Sequence, residues 1–148
     1  MNLREASVND IPQIQIIRNI VKENMLSHPN LVTDQDCENF ITKRGKGWVY
    51  EVDNKIAGFA IVDLEGNNVW ALFVDPEYEK QGIGRQLHDM MLNWYFDQTT
   101  HTVWLGTAPG TRAESFYRNA GWTVIGKHGK GEIKFEMPIE KWRKISQK

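Results

Sequence analysis

The sequence has little of several things that would mark a specialised class of protein. Its 148 residues include one cysteine, Cys37, which excludes an internal disulfide framework and any zinc site built from several cysteines. No apolar run approaches the roughly 18 residues that span a bilayer. The polar start, MNLREASVND, lacks the apolar segment of a signal peptide. We therefore expect a cytoplasmic protein with no membrane partner.

An excess of charge of one sign is also missing. The formal net charge is −1, from 18 Lys and Arg against 19 Asp and Glu, so no overall field attracts nucleic acid. The four histidines and the acidic residues show no metal-ligand spacing. We expect neither a nucleic-acid partner nor a metal. The length fits one domain over residues 1–148.

The most informative stretch present runs from Asn68 to Trp94. Trp70 to Val74 are all apolar, which predicts a strand covered on both faces. Gly82 and Gly84 follow, and apolar residues then recur at helical spacing as Ile83, Leu87, Met91 and Trp94. A strand, a glycine turn and a helix start can aim backbone N–H groups at a phosphate. No Gly-Lys-Ser/Thr follows, and a lone Gly-x-Gly is equally typical of a plain tight turn.

The remaining sequence predicts the order β-α-α-β-β-β-α-β-α-β-β. Asn9-Asp10 and Thr33 are expected to cap the first two helices. Asp53-Asn54 marks a hairpin turn, Thr111 caps a later helix, and Gly121 ends it in the left-handed conformation. Hairpin strands followed by a β-α-β unit imply an α/β fold with a mixed sheet and helices on its faces.

Three segments, LREASVNDIPQI, LFVDPEYEKQGIGRQL and AESFYRNAGW, resemble the GNAT superfamily of acetyl-CoA-dependent N-acetyltransferases. The resemblance covers nearly the whole chain. It implies an α/β (α+β) fold with a mixed, mostly antiparallel sheet of about six to seven strands, splayed between strands 4 and 5 and flanked by about four helices. Two positions depart from the family pattern: Glu79 replaces a Gln or Arg, and Gly110 replaces a frequent Asn.

The resemblance also implies roles for individual residues. Tyr117 lies where the family often has a tyrosine that protonates the departing thiolate, and a phenol is almost fully protonated at neutral pH. Asn119 would line the coenzyme channel. Phe73 and Val74 would offer main-chain groups to pantetheine. The pyrophosphate would be held by the backbone of five consecutive residues, Gln81, Gly82, Ile83, Gly84 and Arg85.

The acceptor side is less defined. His28 lies in the predicted loop between the first two helices, which borders the acceptor pocket in the family, and Trp70 is a candidate wall of that pocket. The general base stays open between a water chain and several side chains, namely His28, Glu51, Asp63, Glu65 and His128. His88 and His101 are expected at the surface.

The function that the resemblance implies is transfer of the acetyl group of acetyl-CoA, as cosubstrate, to a primary amine within a ternary complex. A small-molecule amine is the leading acceptor. The alternatives are an amine of a peptide or protein, and a non-catalytic module of the same fold that binds acyl-CoA for regulation. The sequence does not select the acceptor, and it leaves a homodimer open.

Overall fold

The computed structural model describes residues 2–22 and 32–147, which contain seven strands and five α-helices. The strands are β1 (Asn2–Glu5), β2 (Gly45–Val52), β3 (Lys55–Asp63), β4 (Asn68–Val74), β5 (Val103–Thr107), β6 (Thr123–His128) and β7 (Glu132–Met137). The helices are α1 (Ile11–Lys22), α2 (Asp34–Asn39), α3 (Ile83–Gln98), α4 (Arg112–Asn119) and α5 (Ile139–Ser146). From β1 to β7 this is the element order that the sequence predicts, and α5 follows it. No helix in the described ranges is long and apolar enough to cross a membrane.

The chain forms two compact units, Met1–Tyr95 and Phe96–Lys148. In the first unit, β1, β2, β3 and β4 are antiparallel neighbours in that order. A two-residue loop joins β2 to β3, since Val52 pairs with Lys55. Asp53 and Asn54 both have positive φ, 52° and 64°, as a type I′ hairpin turn requires. The predicted turn is confirmed.

Two bulges interrupt this antiparallel pairing. Tyr50 pairs with Gly58 but Glu51 pairs with Ile56, so an extra residue precedes Gly58 on β3. On β4 the extra residue is Trp70, because the partners on either side are Ala71 and Val69. A bulge redirects a side chain away from the regular alternation of a strand.

The start of the first helix differs from the sequence prediction. Ser7, and not Asn9-Asp10, is the N-cap, and a 3-10 turn, Val8–Asp10, precedes α1. The Asp10 carboxylate accepts from the Ser7 backbone N at 2.8 Å and receives two bonds from Arg4, each 2.8 Å long. The bonds from Arg4 lower the pKa of the Asp10 carboxyl, although burial opposes them. The 3-10 turn that leads into α1 therefore starts directly after Ser7, because the carboxylate of Asp10 bonds back to the Ser7 backbone. Thr33 caps α2 as predicted.

The core of the first unit lies between α1, α2 and one face of the sheet. It is built from Ile14 and Ile17 of α1, Cys37 of α2, and Val49 and Phe59 of the sheet, among others. β4 is not covered on both faces, which corrects the prediction. Val69 and Ala71 are buried, and the other residues of β4 are half-buried.

In the second unit, β7 lies between β5 and β6, and both pairs are antiparallel. Thr111 caps α4, accepting from the Glu114 backbone N at 3.3 Å. Gly121 follows with a φ of 99°, so both predictions for this helix are confirmed. β6 extends through Gly126, where the pairing with β7 shifts register. The C-terminal stretch is helical, and α5 buries Trp142.

Candidate active site

The exit from β4 is fixed by Asp75. This residue is 6% exposed, and its backbone N donates to the Ala57 carbonyl at 2.8 Å. Its carboxylate caps a 3-10 turn, Pro76–Tyr78, by accepting from the Glu77 backbone N at 2.9 Å. Pro76 at the first position of that turn lacks an N–H, so it cannot continue the ladder of β4. The chain therefore leaves the strand at one defined point.

The segment between this turn and α3 contains two residues with left-handed backbone. Lys80 has a φ of 64° and Gly82 a φ of 81°. A Cβ at Gly82 would have no heavy atom within 4 Å, so the space beside this residue is open to a ligand. Gln81 is exposed, Glu79 is half-buried, and neither lies within a helix.

The start of α3 presents backbone donors. The Gln86 N–H bonds to the Gly82 carbonyl at 3.1 Å and is the first such bond of the helix. The N–H groups of Ile83, Gly84 and Arg85 precede it and have no acceptor within the helix. Together with the helix dipole, they suit an anion. The side chain of Ile83 is 3% exposed and belongs to the core, so only its backbone is available.

Arg85 is engaged on the surface of its own helix. Its Nε donates to Asp89 Oδ1 at 3.1 Å. His88 Nδ1 lies 2.8 Å from the same oxygen although the His88 side chain is fully buried. The expectation that His88 lies at the surface is therefore wrong. Burial lowers the pKa of the His88 imidazole, against the opposing effect of Asp89. His101 is exposed, as predicted.

The two residues of β4 predicted to contact pantetheine are half-buried. Val74 pairs with Gly58, and Phe73 pairs with Phe59 on β3. The rings of Phe73 and Phe59 pack edge to face, with centroids 5.6 Å apart. The side chain of Phe73 thus packs within the first unit, which leaves main-chain groups as its predicted contribution to ligand binding.

The bulge residue Trp70 belongs to a stack of rings and guanidinium groups. Its ring is parallel to that of Phe40, with 4.0 Å between centroids and 7° between planes. The Arg18 guanidinium carbon lies 4.7 Å from the Trp70 ring and 5.4 Å from the Phe73 ring. On the other side, Arg44 lies 5.1 Å from the Phe40 ring. His28, the other acceptor-side candidate, lies outside the described residues.

Sequence reasoning missed Arg18. The side chain is 7% exposed and sits four residues after Ile14 and one after Ile17, both of which are in the core. Residues at positions i and i+4 share one face of a helix. A basic residue in the apolar stripe of α1 was therefore the signal that could have found it. Burial lowers the pKa of the Arg18 guanidinium.

Two acidic candidates for the general base are already paired. Arg44 donates from Nε to Asp63 Oδ1 at 3.2 Å and from Nη2 to Oδ2 at 2.8 Å. Burial alone would raise the pKa of the Asp63 carboxyl, but Arg44 and backbone N–H groups hold it below its ordinary value. Glu51 accepts from Arg4 Nε at 2.9 Å. A third candidate, Glu65, places its Oε1 atom 3.8 Å from Arg44 Nη1. The contacts with Arg44 and Arg4 thus lower the pKa values of Asp63 and Glu51, which makes these two carboxylates weak bases.

The second unit contains the predicted acid, Tyr117. Its side chain is 5% exposed and packs edge to face on Phe116 and Trp122, at centroid distances of 5.3 and 5.5 Å. Burial raises the pKa of the Tyr117 phenol well above its usual value, so the group stays protonated at neutral pH. Asn119, the last residue of α4, is exposed. The position of Gly110 is left-handed, with a φ of 75°.

Also in the second unit, His128 and Glu132 flank Gly106. A Cβ at Gly106 would lie 2.8 Å from Glu132 Oε1 and 2.9 Å from His128 Cδ2. The ring of His128 lies 4.8 Å from that of Trp104. His128 therefore keeps a carboxylate and an aromatic ring close by, and it stays a candidate base. Within the described ranges, no group of three or more His, Cys, Asp or Glu could hold a metal ion.

The sequence pattern of the acetyltransferase (GNAT) family matches residues 14–122, which is most of the chain. The chain therefore belongs to the GNAT family and is an N-acetyltransferase. Among curated proteins it is similar to the peptidyl-lysine N-acetyltransferase YiaC of Escherichia coli K12, with 23% identity over 146 residues that cover 95% of each chain.

Solved structures confirm the fold class. The PaiA N-acetyltransferase of Thermoplasma acidophilum, in complex with coenzyme A, is 17% identical with a TM-score of 0.79 over 93% of this chain and 98% of that one. The ribosomal-protein-alanine N-acetyltransferase of Brucella melitensis is 20% identical, with a TM-score of 0.75 over 93% and 99% of the two chains. The splay between β4 and β5 and the roles of the individual residues stay predictions.

Proposed function

We propose that this N-acetyltransferase takes the acetyl group from acetyl-CoA and transfers it directly to a primary amine of a small molecule. The start of α3 is the observation that supports acetyl-CoA as the acetyl donor. There, three backbone N–H groups without helical acceptors, those of Ile83, Gly84 and Arg85, follow a left-handed Gly82 with open space at its Cβ position. A helix start adds about half a positive charge, which suits the pyrophosphate of the coenzyme.

Relatives support this donor. The Thermoplasma acidophilum structure holds coenzyme A, and YncA of Salmonella typhimurium, described as a putative acetyltransferase and also similar in fold, holds acetyl-CoA. Exposed basic side chains play a smaller part in the proposal, because Arg85 already bonds to Asp89.

The proposed chemistry is a direct transfer. The amine nitrogen attacks the thioester carbon, the C–S bond breaks, and the thiolate leaves with a proton. A primary amine must first lose a proton, which costs about 4.6 kcal/mol at pH 7 for a pKa near 10.4. Cys37 is a poor candidate for a covalent acetyl carrier, because it is fully buried and burial raises the pKa of its thiol. Tyr117 is the proposed proton donor to the thiolate, on the strength of its place in the motif.

A peptide or protein amine is the second candidate acceptor. Its support is that two similar proteins are a peptidyl-lysine N-acetyltransferase and a ribosomal-protein-alanine N-acetyltransferase.

Calorimetric titration with acetyl-CoA, followed by CoA release with a panel of small amines and peptides, tests the proposal. We expect saturable acetyl-CoA binding and intersecting initial-rate lines, as in a ternary complex. Parallel lines with an acetylated protein intermediate would overturn direct transfer. Tight acetyl-CoA binding without turnover on any amine would overturn the proposed transfer reaction, and an absence of acetyl-CoA binding would overturn the proposed donor.

A further inference from the structure

The guanidinium of Arg18 is buried within the first unit. Its Nε and Nη2 atoms are buried, and neither has a hydrogen-bond partner within the described part of the chain. The contacts of the guanidinium are with the rings of Trp70 and Phe73. Burying a cation without a hydrogen-bonded counter-ion is unfavourable, and ring faces compensate only part of that cost.

The two unpaired donors of Arg18 form one edge of the guanidinium. Arg44 shows in the same unit how such an edge is used, because its Nε and Nη2 hold the two oxygens of Asp63 at 3.2 and 2.8 Å. This two-pronged geometry matches a planar carboxylate. Arg18 therefore has the donor pair of Arg44, but residues 2–22 and 32–147 offer it no counterpart to Asp63.

The tryptophan beside Arg18 comes from an irregular point of the sheet. Trp70 is the extra residue of the β4 bulge, and it is only half-buried. Phe40 stacks on the Trp70 ring. The indole is therefore in contact with both an aromatic ring and a guanidinium. A buried arginine in the apolar stripe of α1 is unfavourable for local stability. Features of this kind are expected mainly at functional sites.

We propose that Arg18 binds a carboxylate carried by the acceptor amine, with Trp70 beside it as a wall of the acceptor site. The inference rests on the proposed transfer reaction and narrows its substrate to amines that bear a carboxylate. Because Nε and Nη2 are out of contact with solvent, binding must part the side chains that cover them. The carboxylate can belong to a free amino acid or to an acidic residue of a peptide.

Matched acceptor pairs test the proposal. Alanine, methionine, phenylalanine and lysine are compared with their carboxamides, and lysine peptides with a neighbouring Glu are compared with the same peptides carrying Gln. CoA release gives kcat/KM for each. We expect one of the two sets to show a preference for the carboxylate of about tenfold to a hundredfold, the range for a charged hydrogen-bonded pair. The set that shows this preference tells whether the carboxylate belongs to a free amino acid or to an acidic residue of a peptide.

Two variants separate a binding role from a structural one. Arg18→Met keeps length and apolar contact and removes the unpaired charge, so we expect a Tm equal to or above that of the wild type. The carboxylate preference should fall to parity, because the rates with the carboxylates drop toward those with the carboxamides. Arg18→Lys keeps the charge without the two-pronged edge and should lose most of the preference.

Arg44→Met is the matched control, because it removes a guanidinium that already bonds to a carboxylate of the chain, that of Asp63. We expect a lower Tm, since Asp63 is left buried without its cation, and an intact carboxylate preference. A readout independent of turnover is calorimetric titration of the N-acetyl amino acids and their amides in the presence of CoA. Arg18→Met should weaken binding of the acids alone.

Three results would overturn the inference and leave the transfer reaction standing. These are equal rates for carboxylates and carboxamides in the wild type, an unchanged preference in Arg18→Met, or a preference lost equally in Arg44→Met. A wild-type protein that acetylates no amine at all would instead overturn the proposed reaction on which the inference rests. If Arg18→Met does not fold, the wild-type pairs and Arg18→Lys decide.

Discussion

Tyr95 and Asn67 join α3 to the turn that precedes β4. The Tyr95 hydroxyl donates to Asn67 Oδ1 at 2.9 Å, and Asn67 itself is left-handed, with a φ of 56°. Tyr95 is fully buried. Burial, with a smaller effect of Asp63, raises the pKa of its phenol to about 12. This bond fixes one end of the strand whose other end leads into the proposed coenzyme turn.

Replacing Tyr95 by Phe removes this hydroxyl. We expect the free energy of unfolding to fall by about 1 kcal/mol, because one buried hydrogen bond is lost and Asn67 Oδ1 loses its donor. Urea unfolding of the wild type and the variant measures the difference. Tyr78→Phe, on the 3-10 turn, is the control. Equal losses in the two variants would show that the bond to Asn67 contributes nothing specific.

Gly84→Ala separates stability from donor binding. Gly84 lies inside α3, where alanine is favoured over glycine by up to about 1 kcal/mol, so the Tm should stay equal or rise. Acetyl-CoA should bind about tenfold more weakly, because a methyl group would hold the pyrophosphate away from the helix start. Titration calorimetry measures this, with the exposed Met90→Ala of the same helix as control. Unchanged affinity in Gly84→Ala would remove this helix start from the donor site.

Tyr117→Phe tests the proposed acid. Since burial raises the pKa of Tyr117, the phenol is protonated throughout pH 6 to 9, and no rate limb in that range should belong to it. Removing the hydroxyl should lower kcat by about tenfold or more, within the usual contribution of general acid catalysis, and leave the affinity for acetyl-CoA intact. Tyr95→Phe, another buried tyrosine, is expected to keep full kcat. An unchanged kcat in Tyr117→Phe at every pH would exclude the acid role.

The burial of His88 predicts that the folded protein loses stability in mild acid. Its folded pKa is lowered by burial, so the unfolded chain binds the proton more readily, near pH 6.5. Stability is therefore fully present above that pH and falls as the pH drops, by at most about 1.4 kcal/mol per unit for this group. Thermal unfolding from pH 7.5 to 5 measures the slope. His88→Gln should flatten it, and the exposed His101→Gln should not. A steeper slope in His88→Gln would contradict the assignment.

The regular parts of the fold could be predicted because they depend on local sequence. Ile83, Leu87 and Met91 recur with the period of a helix, and all three are buried. Thr33 and Thr111 cap helices because a hydroxyl before an apolar stripe satisfies free N–H groups. These signals lie within a few residues of the structures that they specify.

What the sequence could not reveal depends on distant residues or on a competing local bond. Ser7 replaces Asn9-Asp10 as a cap because Asp10 bonds back to Ser7 and to Arg4. The polar side chain of His88 favours a surface position, yet this residue lies in the buried stripe of α3 with Met91 and is fully buried. The contact between Arg18 and Trp70 joins α1 to the bulge in β4, so it depends on residues that are distant in sequence.

The order of β2, β3 and β4 bears on how the chain folds. These strands are consecutive in sequence and paired in space, and their connections are the two-residue turn at Asp53-Asn54 and the short segment after Asp63. Closing such short loops costs little chain entropy, so this meander can form early and serve as the nucleus for the first unit. Native-state hydrogen exchange should then find the slowest amides in the middle of β3, at Phe59, Ala60 and Ile61.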